Sequence, residues 1–440
     1  MRQFCLSLLF NIPFILLAQG PGGVSSNLSL WFKANSGVTV AGENLTNWAD
    51  QSGNSFNITQ GVSSNQPVQK IVGINFNPEI VFDGNSDYLP ISSKNFSGTG
   101  AISALTTFIV FKTDYTGGGY NGNWSFLDFD RSDFFNFYIR GDDGRLAFSY
   151  HSGPTHDNDG ATLGFNDGFA HLGVAIFDNT VTDETKIRVD GLEDFSGDNV
   201  SNGSTIGVPT TRYGFIGDGS EATFEDGARN NAYFDGSIAE VILFESSLTP
   251  SLLSRVESYL AVKYGLTLGD GTSPVDYVAS NGSTIWTGSA TYQHGVAGVG
   301  RDDNSQLLQE RSTNSTEESA IIVEVESSFS SDLTFLMWGH DDAGNGLTTS
   351  NLPGGFEERV QKTWTAQVTG THGTLTVDFI ISNTGFNSFI PEDYNLLIDG
   401  DGDFTTGALS VGASTIIGDT LRFTSVSLND GDFLHWQGRQ

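Results

Sequence analysis

The stretch Gly236-Ser-Ile-Ala-Glu-Val-Ile-Leu-Phe244, followed by Glu245-Ser-Ser-Leu-Thr-Pro-Ser-Leu-Leu-Ser-Arg-Val-Glu-Ser-Tyr-Leu-Ala-Val-Lys-Tyr-Gly265, decides the fold. An apolar strand, Ile238 to Phe244, runs straight into one short helix with clean punctuation. Thr249 is suited to cap the helix, Pro250 to its first turn, and Gly265 to end it in the left-handed conformation. Leu252, Leu253, Val256, Tyr259 and Leu260 are spaced mostly three or four apart, which gives the helix an apolar stripe to bury. No helical periodicity precedes Thr249. A lone helix after more than two hundred residues of strand-like sequence reads as a closing element packed on a sandwich.

Working outward, short apolar runs alternate with Gly, Asn, Asp and Ser. Leu28 to Phe32, Glu79 to Asp83, Thr106 to Phe111, Phe134 to Ile139, Arg145 to Tyr150 and Lys186 to Asp190 are examples. Such spacing predicts many short strands in a sandwich rather than βαβ units. Gly269-Asp-Gly-Thr-Ser-Pro274 is a cluster of turn formers and is read as a linker. Beyond it the strand pattern resumes, with Ala320 to Val325, Leu333 to Trp338, Gly373 to Ile381, Tyr394 to Ile398 and Thr420 to Thr424. The expected fold class is all-β: a first sandwich over 24–268 ending in the helix, a linker over 269–274, and a second β-sandwich over 275–440.

Residues 1–18 read as a secretory signal, with basic Arg2, an apolar run from Phe4 to Leu17 and the small residue Ala18. The run is shorter than the roughly 20 residues a spanning helix needs, and no later segment is long and apolar enough to span. The single cysteine, Cys5, lies inside this signal, so a disulfide-linked partner is not expected. With 52 acidic against 20 basic residues the formal charge is −32, which makes a nucleic-acid partner unfavourable because phosphate would be repelled. The expected location is secreted or cell-surface.

Several fragments carry a family resemblance in order along the chain. They are Leu30-Trp-Phe-Lys-Ala34, Trp48-Ala-Asp-Gln-Ser-Gly-Asn54, Phe82-Asp-Gly-Asn-Ser-Asp-Tyr-Leu89, Ile187-Arg-Val-Asp-Gly191, and the closing Ile238-Ala-Glu-Val-Ile-Leu-Phe244 with its helix. Together they resemble the concanavalin A-like (laminin G-like) jelly-roll domains of bacterial secreted proteins. Val296 to Asp303 and Leu336 to Asp342 resemble an uncharacterised domain that follows such modules in bacterial surface proteins. The resemblance implies a jelly roll used for binding or adhesion, with carbohydrate or a surface glycan as the expected partner. The competing reading is a glycan-cleaving enzyme on the same fold.

Retaining glycosidases need two carboxylates roughly 5 Å apart. The Glu-x-Asp-x-x-Glu strand of the glucanase branch is absent, and no G-x-S-x-G elbow occurs. Asp128 and Asp130 share one strand face by spacing; an exposed strand edge or a calcium ligand is the plainer reading. No catalytic residue is therefore assigned. Trp124, beside the Gly-rich segment 117–123, is the candidate ligand-stacking residue, joined by Tyr115 and Tyr120, and an aromatic folded back onto the sandwich is the alternative. Asp399-Gly-Asp401-Gly-Asp403-Phe404 places alternate carboxylates as a Ca²⁺ loop does, with Asp157-Asn-Asp159 a shorter version. Phe404 stands where an EF-hand has Gly and Ser410 where it has Glu, so a full EF-hand is rejected and a plain acidic turn stays open. His340 with Asp341 and Asp342 reads either as ligands or as a turn after a buried strand.

Overall fold

The computed structural model describes residues 19–117, 123–201, 203–317, 320–382, 384–386 and 390–438. The signal read over 1–18 and the candidate Tyr120 lie outside these residues.

Two sheets face one another in the first half. One runs, strand beside strand, from Leu192–Gly197 through Thr185–Val189 (β10), Ala170–Asp178 (β9) and Ala104–Lys112 (β4) to Asp235–Phe244 (β13). The long β13 then pairs with Glu79–Asp83 (β2) at its start and with Leu28–Lys33 (β1) at its end. The opposing sheet orders Leu89–Ser97 (β3), Thr211–Ile216 (β12), Asn123–Asp128 (β5), Phe135–Arg140 (β6), Leu146–His151 (β7) and Thr155–Asp159 (β8). Leu30, Phe32, Ile109, Phe111, Ala175, Phe177, Val241 and Leu243 point into the core between the sheets, with Phe126, Phe137 and Phe148 opposite.

The intervening residues Trp31, Phe108, Val110, Leu172, Val174, Ile242 and Phe244 are also buried, on the other face of the same strands. That explains why Ile238 to Phe244 is apolar on both faces except at Glu240: a strand covered on both sides shows no alternation. The cover is helix α1, Pro250–Tyr264. Its local chemistry follows the sequence. Thr249 accepts the Leu252 N–H, Pro250 opens the first turn, and Gly265 stops the helix at φ 63°.

The helix is covered on its far side as well. Tyr277, Ile285, Trp286, Val296, Leu307, Phe335 and Met337 of the second half join its apolar cluster. Tyr277, Ile285 and Trp286 belong to a two-stranded ribbon, and the others to a nine-stranded sheet that includes His294–Asp302 (β14), Thr334–His340 (β16), Glu358–Val360 (β17), Trp364–Thr369 (β18), Tyr394–Asp399 (β20) and Phe433–Gly438 (β22). A five-stranded sheet with Ile321–Val325 (β15), Leu375–Ile380 (β19) and Thr420–Val426 (β21) closes the second sandwich over its own core, which includes Trp338, Trp364 and Trp436. The result is an all-β stack in which one helix is an inner layer shared by two sandwiches.

Polar bonds lock the seam. Asn75 donates to the Lys263 carbonyl at 3.0 Å and accepts from the Thr313 N–H at 2.7 Å. A Cβ on Gly265 would lie 2.0 Å from the Thr313 carbonyl oxygen, so close approach as well as φ requires glycine there. Buried Glu257 of α1 pairs with Arg188 of β10 at 2.8 Å. The linker 269–274 is an exposed turn in which Asp270 accepts the Thr272 and Ser273 N–H groups. We propose 269–274 as the point where the chain passes between sandwiches. Limited proteolysis should nick there first, and the two fragments should co-elute on size exclusion because the apolar seam holds them; separation of the fragments without denaturant would contradict the shared layer.

Candidate functional site

One end of the first sandwich gathers the loop after β4, the β6–β7 turn and the loop before β9. Tyr115, just past β4, is 44% exposed and meets the Trp124 ring edge-on at 4.8 Å between centroids. Trp124 is only 6% exposed, belongs to the inter-sheet core and lies against Gly141, where a Cβ would clash with the indole at 2.2 Å. Of the expected stacking residues, then, Trp124 forms the support and Tyr115 the face that meets solvent. The loop backbone is pinned, with Asn166 donating to the Tyr115 carbonyl at 3.0 Å and the Tyr115 N–H reaching Thr113 Oγ1 at 3.2 Å. Beside Gly141, Arg140 is held by Asp142 at 3.0 Å and by Asp159 at 2.5 Å. A braced, solvent-facing tyrosine ring can stack on an apolar face and hydrogen-bond through its hydroxyl.

The second feature lies on the outer face of the β3–β12–β5–β6–β7–β8 sheet. Ser125, Asp128, Asn136, Tyr138 and Ser149 all point outward, yet none is more than 3% exposed. Segment 217–234 roofs part of this face: Ser125 N–H donates to the Ala232 carbonyl, and Ser220 Oγ to that of Tyr213. Arg229 sits 3.7 Å over the Tyr88 ring and reaches Asp218 at 3.3 Å, while the Tyr88 hydroxyl donates to Asp226 at 2.8 Å.

Asp128 and Asp130 are buried and do not form an exposed edge. Asp130 has left-handed backbone at φ 67°, and its N–H caps Asp128 Oδ1 at 2.5 Å. Its own carboxylate accepts from Ser132 and lies 2.7 Å from Arg212, which Asp133 shares. Asp128 Oδ2 and Asn136 Oδ1 have no hydrogen-bond partner, although the two residues are directly opposed across β5 and β6. Burial, then the charges of Asp130 and Asp218, push the Asp128 carboxyl well above the usual range. Burial raises Asp218 to about 6, although Gly219 N–H and Arg229 oppose it.

These acids therefore keep their protons to higher pH in the folded chain than in the unfolded one. Their contribution to stability is present near the ordinary carboxylate value of 3.8 and is lost as pH rises toward the folded values. Asp128→Asn reproduces the uncharged form and supplies a donor for Asn136. Its melting temperature should fall less than that of the wild type between about pH 4 and pH 7. Parallel curves would show that Asp128 is ionised throughout.

The other candidate acids are engaged locally. Asp157 meets Arg131 at 3.4 Å, and Asp159 holds Arg140. Asp399 accepts the Asp401 and Gly402 N–H groups, Asp401 accepts that of Asp403, and Asp403 that of Thr405. This ladder of side-chain turns shapes the loop and carries Phe404 inward, where it is 1% exposed. Among the described residues no three His, Cys, Asp or Glu side chains converge as a metal ion would need. His340 is buried at the end of β16, bonds Glu317 at 2.7 Å and accepts the Asp342 N–H at 3.1 Å. The roofed polar face could not be read from the sequence, because its strands are adjacent only in space and its cover is almost a hundred residues downstream.

Comparison with known proteins places a domain of unknown function (DUF8202) on residues 253–432, so the match begins inside α1. No curated protein matches the chain. Similar solved structures include domain 4 of an extracellular arabinanase from Geobacillus stearothermophilus in complex with arabinotriose, at 17% identity and TM-score 0.34, covering 53% of this chain and 98% of that one. The binding domain of Paraclostridial Mosquitocidal Protein 1 aligns over 94% of this chain and 98% of its own at 9% identity and TM-score 0.39. A Ruminococcus gnavus sialidase module, CBM40, bound to α2,3-sialyllactose, covers 34% of this chain and 79% of its own at 16% identity and TM-score 0.26. Likeness at this level assigns no ligand and no residue here.

Proposed function

We propose that this chain is an exported, non-catalytic carbohydrate-binding protein whose first sandwich is a laminin G-like module, acting in the extracellular space or at the cell surface. The observation that carries the binding reading is the Tyr115 ring, held toward solvent on the buried indole of Trp124, with Asn166 pinning its backbone. Sugars offer an apolar ring face and a hydroxyl edge, and this arrangement presents a partner for each. A non-catalytic role is supported by the burial of Asp128 and of Asp218 in segment 217–234, both 0% exposed and out of reach of a substrate.

A glycan array with the purified chain tests this reading. Tyr115→Ala should weaken binding at least about tenfold, the size of 1.4 kcal/mol, with little change in melting temperature. Steady release of reducing ends, abolished by Asp128→Asn, would instead establish the glycan-cleaving alternative. Equal binding by wild type and Tyr115→Ala would remove this end of the sandwich as the site.

Calcium dependence is a separate proposal that rests on the spacing of Asp399, Asp401 and Asp403. A cation bound only by the folded chain at about a hundred times its dissociation constant stabilises by about 2.7 kcal/mol. Millimolar Ca²⁺ should raise the melting temperature and Asp401→Ala should blunt the rise; identical melts in calcium and chelator would leave the loop as a turn that delivers Phe404.

A further inference from the structure

On β22, alternate residues divide between two environments. Leu434 and Trp436 enter the core of the second sandwich, whereas His435 and Gln437 point to the opposite face, the one that carries Phe335 and Met337 further along the sheet. Both are 0% exposed. A side chain on that face would ordinarily be apolar or fully hydrogen-bonded. Among the described residues, neither ring nitrogen of His435 and neither amide atom of Gln437 has a hydrogen-bond partner, and Asn351 Oδ1 also lacks one.

The surroundings are specific. Leu397 lies opposite His435, and Asn395 and Arg359 flank Gln437 from the two neighbouring strands. Phe404 packs on the His435 ring at 3.9 Å, and Asn351 Nδ2 donates to the Gly402 carbonyl at 2.8 Å, joining two loops above the patch. Arg359 donates from Nε to the Ser350 carbonyl and from Nη1 to those of Val360 and Gln361. Its charge nonetheless remains beside the site and, after burial itself, keeps the imidazole neutral, lowered to about 2.

These groups restrict the chemistry of an occupant. A cation would meet Arg359. An anion would meet the amide oxygens of Gln437 and Asn351 and, in His435, an imidazole that carries no charge. The free groups are mixed: the His435 ring offers one donor and one acceptor, Gln437 offers both, and Asn351 offers an acceptor. Hydroxyl groups, which donate and accept at once, suit so mixed a set.

We propose that this covered patch of the second sandwich is a binding site for an uncharged hydroxyl-bearing ligand, with His435, Gln437 and Asn351 as its polar contacts and Phe404 as its apolar wall. The hydroxyl comes from ordered water or from a sugar or polyol. The site lies in a different sandwich from Tyr115, so neither reading depends on the other.

The test uses the full chain, with Gln437→Leu as an apolar variant of similar volume and Asn351→Ala as a change in a covering loop. Free monosaccharides and glycerol serve as probes in thermal melts. If a sugar or polyol is the occupant, it raises the wild-type melting temperature and both variants lose the rise. If water is the occupant, the probes do nothing, Gln437→Leu lowers the melting temperature by about 2–4 °C, and a crystal structure shows ordered oxygen within hydrogen-bond reach of His435 and Gln437. A Gln437→Leu protein as stable as the wild type or more so, or a crystal structure in which His435 and Gln437 bond directly to protein atoms, overturns the proposal. Should Gln437→Leu fail to fold, the wild-type crystal structure and the Asn351→Ala melts decide alone.

Discussion

The carboxylate of Glu240 is the constraint on which the rest of the stack depends. It sits in the middle of β13, 1% exposed, and points out of the first sandwich into the helix layer. Oε1 accepts from Trp31 Nε1 at 2.6 Å and from the Tyr259 hydroxyl at 2.9 Å; Oε2 accepts from Lys263 Nζ at 2.6 Å and the Tyr264 hydroxyl at 2.8 Å. A charge removed from water is tolerated only when paired and hydrogen-bonded, and stripping one partner from such a pair costs about 3–5 kcal/mol. The same crowding appears at Lys33, where burial lowers the ammonium to about 8 despite the pull of Glu240. Glu240 thus fixes the rotation and height of α1 on the sheet, and α1 in turn supplies the surface on which the second sandwich rests.

How much of this the sequence disclosed can be followed along the helix. Its cap, first turn and stop obey local chemistry and were legible as Thr249, Pro250 and Gly265. Its second buried side was not. Glu257 and Lys263 look like solvent-facing residues in a periodicity argument, yet their partners are Arg188 and Glu240, supplied by other strands. Periodicity reports which residues are apolar; it does not report which charges will find a partner in the interior. The all-β class was legible because alternation and turn residues are local. The sharing of one helix by two sandwiches is a long-range property and left no local mark.

The candidate sites divide in the same way. Tyr115 and Trp124 were visible as aromatics beside a glycine-rich segment, and the fold supplies what the sequence lacked: which ring is support and which is surface. Asp399, Asp401 and Asp403 were visible by spacing, but a one-in-two pattern of Asp and Gly is equally the pattern of successive side-chain turns, and only coordinates separate a cage from a ladder. The buried polar faces around Asp128 and His435 carried no signal. Each arises from single residues on strands brought together by register.

The start of the described chain has a consequence for how the molecule is made. Gly20 donates to the Asn304 carbonyl at 3.2 Å, and Gly22 and Gly23 receive Arg255 of α1 at 3.0 and 3.1 Å. A chain synthesised from its N-terminus therefore cannot complete the contacts of Gly20 until Asn304 has emerged. Until then the outer face of β4, β9 and β13 presents Phe108, Leu172, Val174 and Ile242 to whatever is nearby. That face is apolar surface which the strands of the first half cannot cover by themselves, so shielding it falls to α1 and the second half, which follow them in the chain.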